Sequence, residues 1–180
     1  MTKIEQFFHK QVGLLFVLFI LNAVALTYFG AGLKAYTDLP KLDFMIGGYT
    51  QETILQLIAA YGNEGLNLYY WLTVLDMPFP FLVFGFTLGY VVSKLKTWNY
   101  RWFATVIMIS AYAFLLFDLI ENITVFALFD HGFEWVGEQW IAISSLATQI
   151  KLISLALIYL SILIVWGASM IVKVRTSSQR

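Results

Sequence analysis

Four ionisable residues stand inside apolar stretches of this chain: Asp76, Asp118, Glu121 and Lys151. Carboxylates taken out of water are the groups proteins use for general acid–base chemistry and for holding cations or amines. A lysine among them tunes their proton affinity or stabilises developing negative charge. Ionisable groups at membrane depth cost about 2.5–3.5 kcal/mol each on insertion scales, so they persist where something pairs or solvates them. Asp118, Glu121 and Asn122 fall at i, i+3 and i+4 and share one helix face. Ser144, Thr148 and Lys151 form a second polar stripe with an ammonium at its inner end. Asp76 opens the run Asp76-Met77-Pro78-Phe79-Pro80. Pro78 and Pro80 have no N–H to donate, which frees the carbonyls of Val74 and Asp76 and predicts a kink. Three acids facing one lysine carry a net charge of −2 if fully ionised. A low dielectric opposes that, so protonation of an acid or binding of a cation is expected. The candidate ligand-binding residues are Asp76, Asp118, Glu121, Asn122, Thr148 and Lys151; no catalytic role is assigned to any of them.

The elements that carry these residues follow from composition. The 180-residue chain is 60% hydrophobic and 12% charged, with a mean hydropathy of +0.77. Ordinary soluble domains run near 45–50% and 25%. Such a chain is no soluble enzyme, disordered protein or nucleic-acid binder, and nucleic acid is excluded as a partner. The absence of cysteine removes disulfides, thiolate metal sites and iron–sulfur ligation. His9 and His131 lie near opposite ends of the apolar architecture and cannot ligate one haem. No Walker loop, dinucleotide fingerprint or zinc motif occurs, so no cofactor or metal is expected.

Four apolar stretches, about 12–33, 66–92, 102–128 and 140–172, have helical periodicity and the roughly 20 residues a membrane crossing needs. The predicted fold is an all-α integral membrane protein: a single domain over 1–180 forming a four-transmembrane-helix bundle. Lys3, Lys10, Lys94, Lys96, Arg101, Lys173, Arg175 and Arg180 fall on one side, and only Lys34 and Lys41 on the other. The positive-inside rule then puts both termini and the 93–101 turn in the cytoplasm, a bacterial inner membrane being the expected location. Lys3, Lys10 and Ala23-Val24-Ala25 have the outline of a secretory signal, but the apolar run continues to Leu33, the length of a true span.

Counted from the nearest cytoplasmic charge at 1.5 Å per residue, Asp76 lies about 27 Å deep, Asp118 about 26 Å, Glu121 about 30 Å and Lys151 about 33 Å. The four fall in one slab in the outer leaflet. Asn22, about 18 Å above Lys10, reads as an interhelical hydrogen bond. The outer segment 34–65 is expected to carry a short extracytoplasmic amphipathic helix. Thr50 caps it, Ile54, Leu57, Ile58 and Tyr61 form its apolar face, and Gly62 ends it.

Gly48-Tyr49-Thr50, Gly62-x-x-Gly65, Tyr70-x5-Asp76, Asp118-x-x-Glu121-Asn122 and Thr148-x-x-Lys151 together resemble a group of uncharacterised bacterial four-span membrane proteins. The resemblance covers most of residues 47–151. It implies the topology and the shared polar layer and brings no activity. Pro78 before Phe79-Pro80 departs from the Phe-Pro expected directly after the span-two aspartate. A looser architectural similarity links the chain to sterol-isomerase and sigma-2-receptor-like bundles, which bury carboxylates and bind amphipathic amines.

Three readings remain open from sequence. The first is a binding protein for an amphipathic ligand, cation or lipid head group. The second is a membrane-embedded enzyme with Asp118 or Glu121 as acid/base. The third is a homo-oligomer or subunit of a larger membrane complex in which the polar layer is helix glue.

Overall fold

The structure, a computed structural model, describes residues 2–131 and 133–177, with side chains described outside 129–135 and 171–177. The charges Asp130, Glu134, Lys173, Arg175 and Arg180, and likewise His131 and Trp135, lie outside the described side chains. Among the described residues every element is helical. The order is α1 (Lys3–Lys10), α2 (Val12–Gly32), a 3-10 turn (Leu33–Ala35), a second 3-10 turn (Leu42–Phe44), α3 (Gln51–Asp76), α4 (Phe79–Phe86), a π-helical turn (Thr87–Val92), α5 (Ser93–Thr97), α6 (Arg101–His131) and α7 (Phe133–Ser177). Four helical stretches, 12–35, 51–97, 101–128 and 136–170, are long and apolar enough to cross a membrane. The chain is an all-α integral membrane protein built as a four-helix bundle.

Local sequence explains the breaks. Thr50 caps α3 through Thr53 in a reciprocal pair, and Gly62, at φ 55° and ψ −168°, interrupts the helix between the loop-end turn and the span proper. The predicted amphipathic helix 51–61 thus forms, and Ile54, Leu57 and Tyr61 are buried against Val125, Val136 and Ile141. It caps the bundle. Between Asp76 and Phe79 the helix breaks at Pro78, with Met77 and Pro78 keeping helical dihedrals. Asn22 supplies the expected interhelical bond there, donating from Nδ2 to the Leu75 carbonyl at 2.9 Å.

Three connecting or flanking segments are more ordered than their charge pattern alone indicates. Between the third and fourth spans α6 runs to His131 and α7 starts at Phe133, with Gly137 at φ 67° as the break. Segment 93–101 holds α5 and a tight turn around Asn99, at φ 64°. The N-terminal flank is α1, capped reciprocally by Thr2 and Glu5, with Glu5 buried and ion-paired to Lys96. Burial opposes ionisation of Glu5, yet the Lys96 ammonium and the Thr2 amide together hold its carboxyl below the usual value.

The longest packing seam is the antiparallel α6–α7 pair, while α2 packs on α3 and α4 at the edge of the bundle and has no fully buried residue. Two apolar cores result. One, at the end of the long loop, joins Leu42, Tyr49, Leu57, Tyr69 and Ile141; the other, toward α1, joins Phe84, Leu88, Ile107, Phe114 and Ile158. The sequence positions between them are those of the polar residues.

Candidate functional site

Lys151 of α7 is the hub. Its ammonium meets Asp118 Oδ1 of α6 at 3.0 Å and Glu121 Oε2 in a second, tighter ion pair. The sequence left open which carboxylate pairs with Lys151; both do. Asn122 lies on the same α6 face and donates through Nδ2 to Asp118 Oδ2 at 3.1 Å and to Asp76 Oδ2 at 3.4 Å. The last is longer than an ordinary N–H···O bond. The polar layer is thus a chain running Glu121–Lys151–Asp118–Asn122–Asp76. Asp118, Glu121, Asn122, Thr148 and Lys151 are all buried, and Asp76 is half-buried.

The chain has two sides. Asp76, Asp118 and Lys151 line a cavity of 810 Å³. Its walls come from α2 (Ala23, Leu26, Thr27), the loop 33–44 with Lys34 and Asp38 on its exposed rim, the kink (Phe79) and α7 (Leu155, Tyr159). That volume is in the range of small-molecule sites, roughly 300–1,000 Å³. Glu121, Asn122 and Thr148 do not line it. Glu121 stands behind Lys151, beside Thr148, whose hydroxyl donates to the Ser144 carbonyl at 3.1 Å. So three of the six residues singled out from sequence face the cavity and three brace them. Among the described residues, no group of three His, Asp or Glu side chains converges as metal ligands would.

Two cavity residues and one brace were not legible as such. Lys41 and Asp43, which sequence places in the outer segment 34–65, fold back into the cavity wall as an ion pair of 2.8 Å, each side chain less than one-fifth exposed. Partial burial raises the Asp43 carboxyl, but the Lys41 and Lys151 ammonium groups outweigh it and hold it at about 2. Burial likewise works against the charge on Lys41, and Asp43 more than restores it. Tyr49 plugs the far side of the layer. Its N–H donates to Ser145 Oγ at 2.8 Å and its hydroxyl shares a 2.7 Å bond with Ser144 Oγ. Burial, with Glu121 nearby, pushes the Tyr49 phenol up to about 12, so it stays a neutral hydrogen-bonding group. The signal for all three was the apolar company they keep: Leu42 and Met45 alternate with the charges and are buried.

A pH dependence follows. A carboxyl held at about 2 against an ordinary 3.8 contributes stability that is complete above about pH 4 and is lost as the pH falls from there toward 2. The contribution is on the order of 2 kcal/mol. Asp43→Asn should therefore be less stable than the parent at pH 6 by that amount. The difference should vanish near pH 2, as read from unfolding in detergent across pH.

Comparison with known protein families, curated proteins and solved structures returns no match for this chain.

Proposed function

We propose that this protein binds a small amphipathic ligand, a cation or a lipid head group in the cavity beside the Lys151 network. The observation that carries the reading is the division of labour in the polar layer: Glu121 and Thr148 brace Lys151 from behind, while Asp76, Asp118, Lys41 and Asp43 front an open volume of 810 Å³. Helix glue needs no such volume. With Glu121 behind Lys151, the cavity carries five acids (Asp38, Asp43, Asp76, Asp118 and Glu121) against three ammonium groups (Lys34, Lys41 and Lys151), so it favours positive charge. An enzyme with Glu121 as its acid/base gains no support, because that carboxyl has no face on the cavity. The balance of basic residues supports a membrane orientation with both termini and the 93–101 turn in the cytoplasm, and hence a cavity in the outer leaflet of a bacterial inner membrane.

The chain has no cysteine, so single introduced thiols report accessibility without background. Leu152→Cys lines the cavity beside Lys151, whereas Ile158→Cys is sealed in the core. A cationic methanethiosulfonate added outside should label Leu152→Cys roughly tenfold faster than an anionic one, through the negative field of the acids, and leave Ile158→Cys untouched. In the proposed orientation, Asn99→Cys should label only from the cytoplasmic side. If Leu152→Cys is as silent as Ile158→Cys, no polar molecule reaches the layer and the binding reading fails.

A further inference from the structure

The cavity lining carries more acid than base. Of its acids, Asp43 is matched by Lys41 and Asp118 by Lys151, whose charge is shared with Glu121 behind it. Asp38, on the exposed rim, is solvated; among the buried and half-buried acids of the lining, Asp76 alone has no cation within ion-pair distance among the described residues, and its hydrogen bond from Asn122 is a stretched 3.4 Å. A half-buried carboxylate in that state has unused acceptor capacity aimed at whatever occupies the cavity. Lys34 and Asp38 on the exposed rim and the Lys41–Asp43 pair bring charge to the loop side of the wall, and the remainder is mostly apolar. On the α2 side it is built from Ala23, Leu26 and Thr27 and on the α7 side from Leu155 and Tyr159, two helices that do not belong to one packing seam. α2 has no fully buried residue and packs on α3 and α4, so the flank beside α7, where the bilayer would lie, is the side on which the cavity is least enclosed by packed helices. An apolar cleft of this kind accepts a hydrocarbon tail at little desolvation cost, and a hydrogen-bonding cation is the partner Asp76 lacks.

Resting on the ligand-binding reading above, we infer that the occupant is a protonated amine on a hydrocarbon tail. It enters sideways from the lipid between span one and span four and sets its ammonium on Asp76. The same chemistry comes from a free long-chain amine or from the head group of an aminolipid.

The test uses the full chain in nanodiscs of phosphatidylcholine, whose quaternary head group has no N–H to donate. Dodecylamine should raise the melting temperature with a midpoint at least tenfold lower than dodecanol or dodecanoate. Asp76→Asn and, separately, Leu155→Trp should each raise that midpoint tenfold or more, with melting temperatures of the ligand-free variants near the parent's. Phosphatidylethanolamine doped into the disc should either compete with dodecylamine, naming the membrane's own aminolipid as the source, or leave it unaffected, naming a free amine; both support the amine chemistry. Dodecanol binding as well as dodecylamine, with Asp76→Asn silent, overturns the amine assignment. Dodecylamine binding undiminished in Leu155→Trp overturns the lateral route. In either case labelling of Leu152→Cys still shows whether the cavity itself admits polar molecules, so failure here is separable from failure of the binding reading.

Discussion

Replacing Lys151 with methionine is expected to destabilise the bundle by roughly 3–5 kcal/mol, the cost of leaving buried charge without its partner. Two carboxylates, Asp118 and Glu121, converge on this one ammonium, and all three side chains are almost wholly sealed from the surface. Methionine fills much of the volume but leaves two acids facing each other in an apolar setting, where at most one can ionise. The triple variant Lys151→Met/Asp118→Asn/Glu121→Gln removes every one of those charges together. It should recover most of the loss, because replacing a whole buried ion cluster by neutral groups of similar size is often close to neutral. Unfolding in mixed micelles measures both. A single-variant loss below about 1 kcal/mol, the range of solvent-exposed pairs, contradicts a desolvated network.

The second large effect is expected at Gly89, on the π-helical turn of span two. The backbone of α1 crosses it so closely that a methyl group on Gly89 would stand 2.6 Å from the Phe8 carbonyl oxygen and 2.7 Å from its carbon. His9 Nδ1 reaches the Gly89 carbonyl at 2.8 Å, and Glu5 pairs with Lys96 one turn further on. Backbone cannot rotate aside as a side chain does, so Gly89→Ala must lift α1 off the bundle. The expected cost is about 1–3 kcal/mol of overpacking. Faster proteolysis in residues 2–11 should accompany it. Gly167, in α7, has open space where a methyl would go. There the same substitution should stabilise by up to about 1 kcal/mol, since alanine is the better helix former. Opposite signs for one chemical change in two helices separate close packing from propensity. Equal effects at the two positions contradict the docking of α1.

How much of this was written locally can be judged residue by residue. A charge within an apolar run stands out against its neighbours, so Asp76, Asp118, Glu121 and Lys151 were visible, and a helical period of 3.6 put Asn122 on their face. The prolines announced the kink because a missing N–H is a property of one residue, and Thr50 with Gly62 bounded the capping helix for similar reasons. Lys41 and Asp43 were invisible because a charge in a loop is by default solvated. What pulls them inward is tertiary, the burial of Leu42 and Met45. The helical period fixes a shared face but not which member of it meets a cavity, hence Glu121 was grouped with Asp118 although Lys151 stands between it and the open volume. The N-terminal helix did have a local signal, Thr2 and Glu5 at capping-box spacing, in a flank where Lys3 and Lys10 were weighed only for orientation and for the outline of a secretory signal. The π-helical turn over Thr87–Val92 has no comparable code, since its register is set by how α1 packs across it.

Native mass spectrometry of the protein released gently from its own membrane tests the central claim most directly. The account predicts a discrete bound mass on the parent chain that survives in a parent-like fold. It should be lost or strongly depleted in Asp76→Asn, which fronts the cavity without an ion pair, while the melting temperature stays within a few degrees of the parent's. Glu121→Gln, behind Lys151, should melt lower yet retain the mass whenever it is folded. No bound mass on the parent, with every acid variant melting markedly lower, would contradict the account and leave the polar layer as a brace between helices.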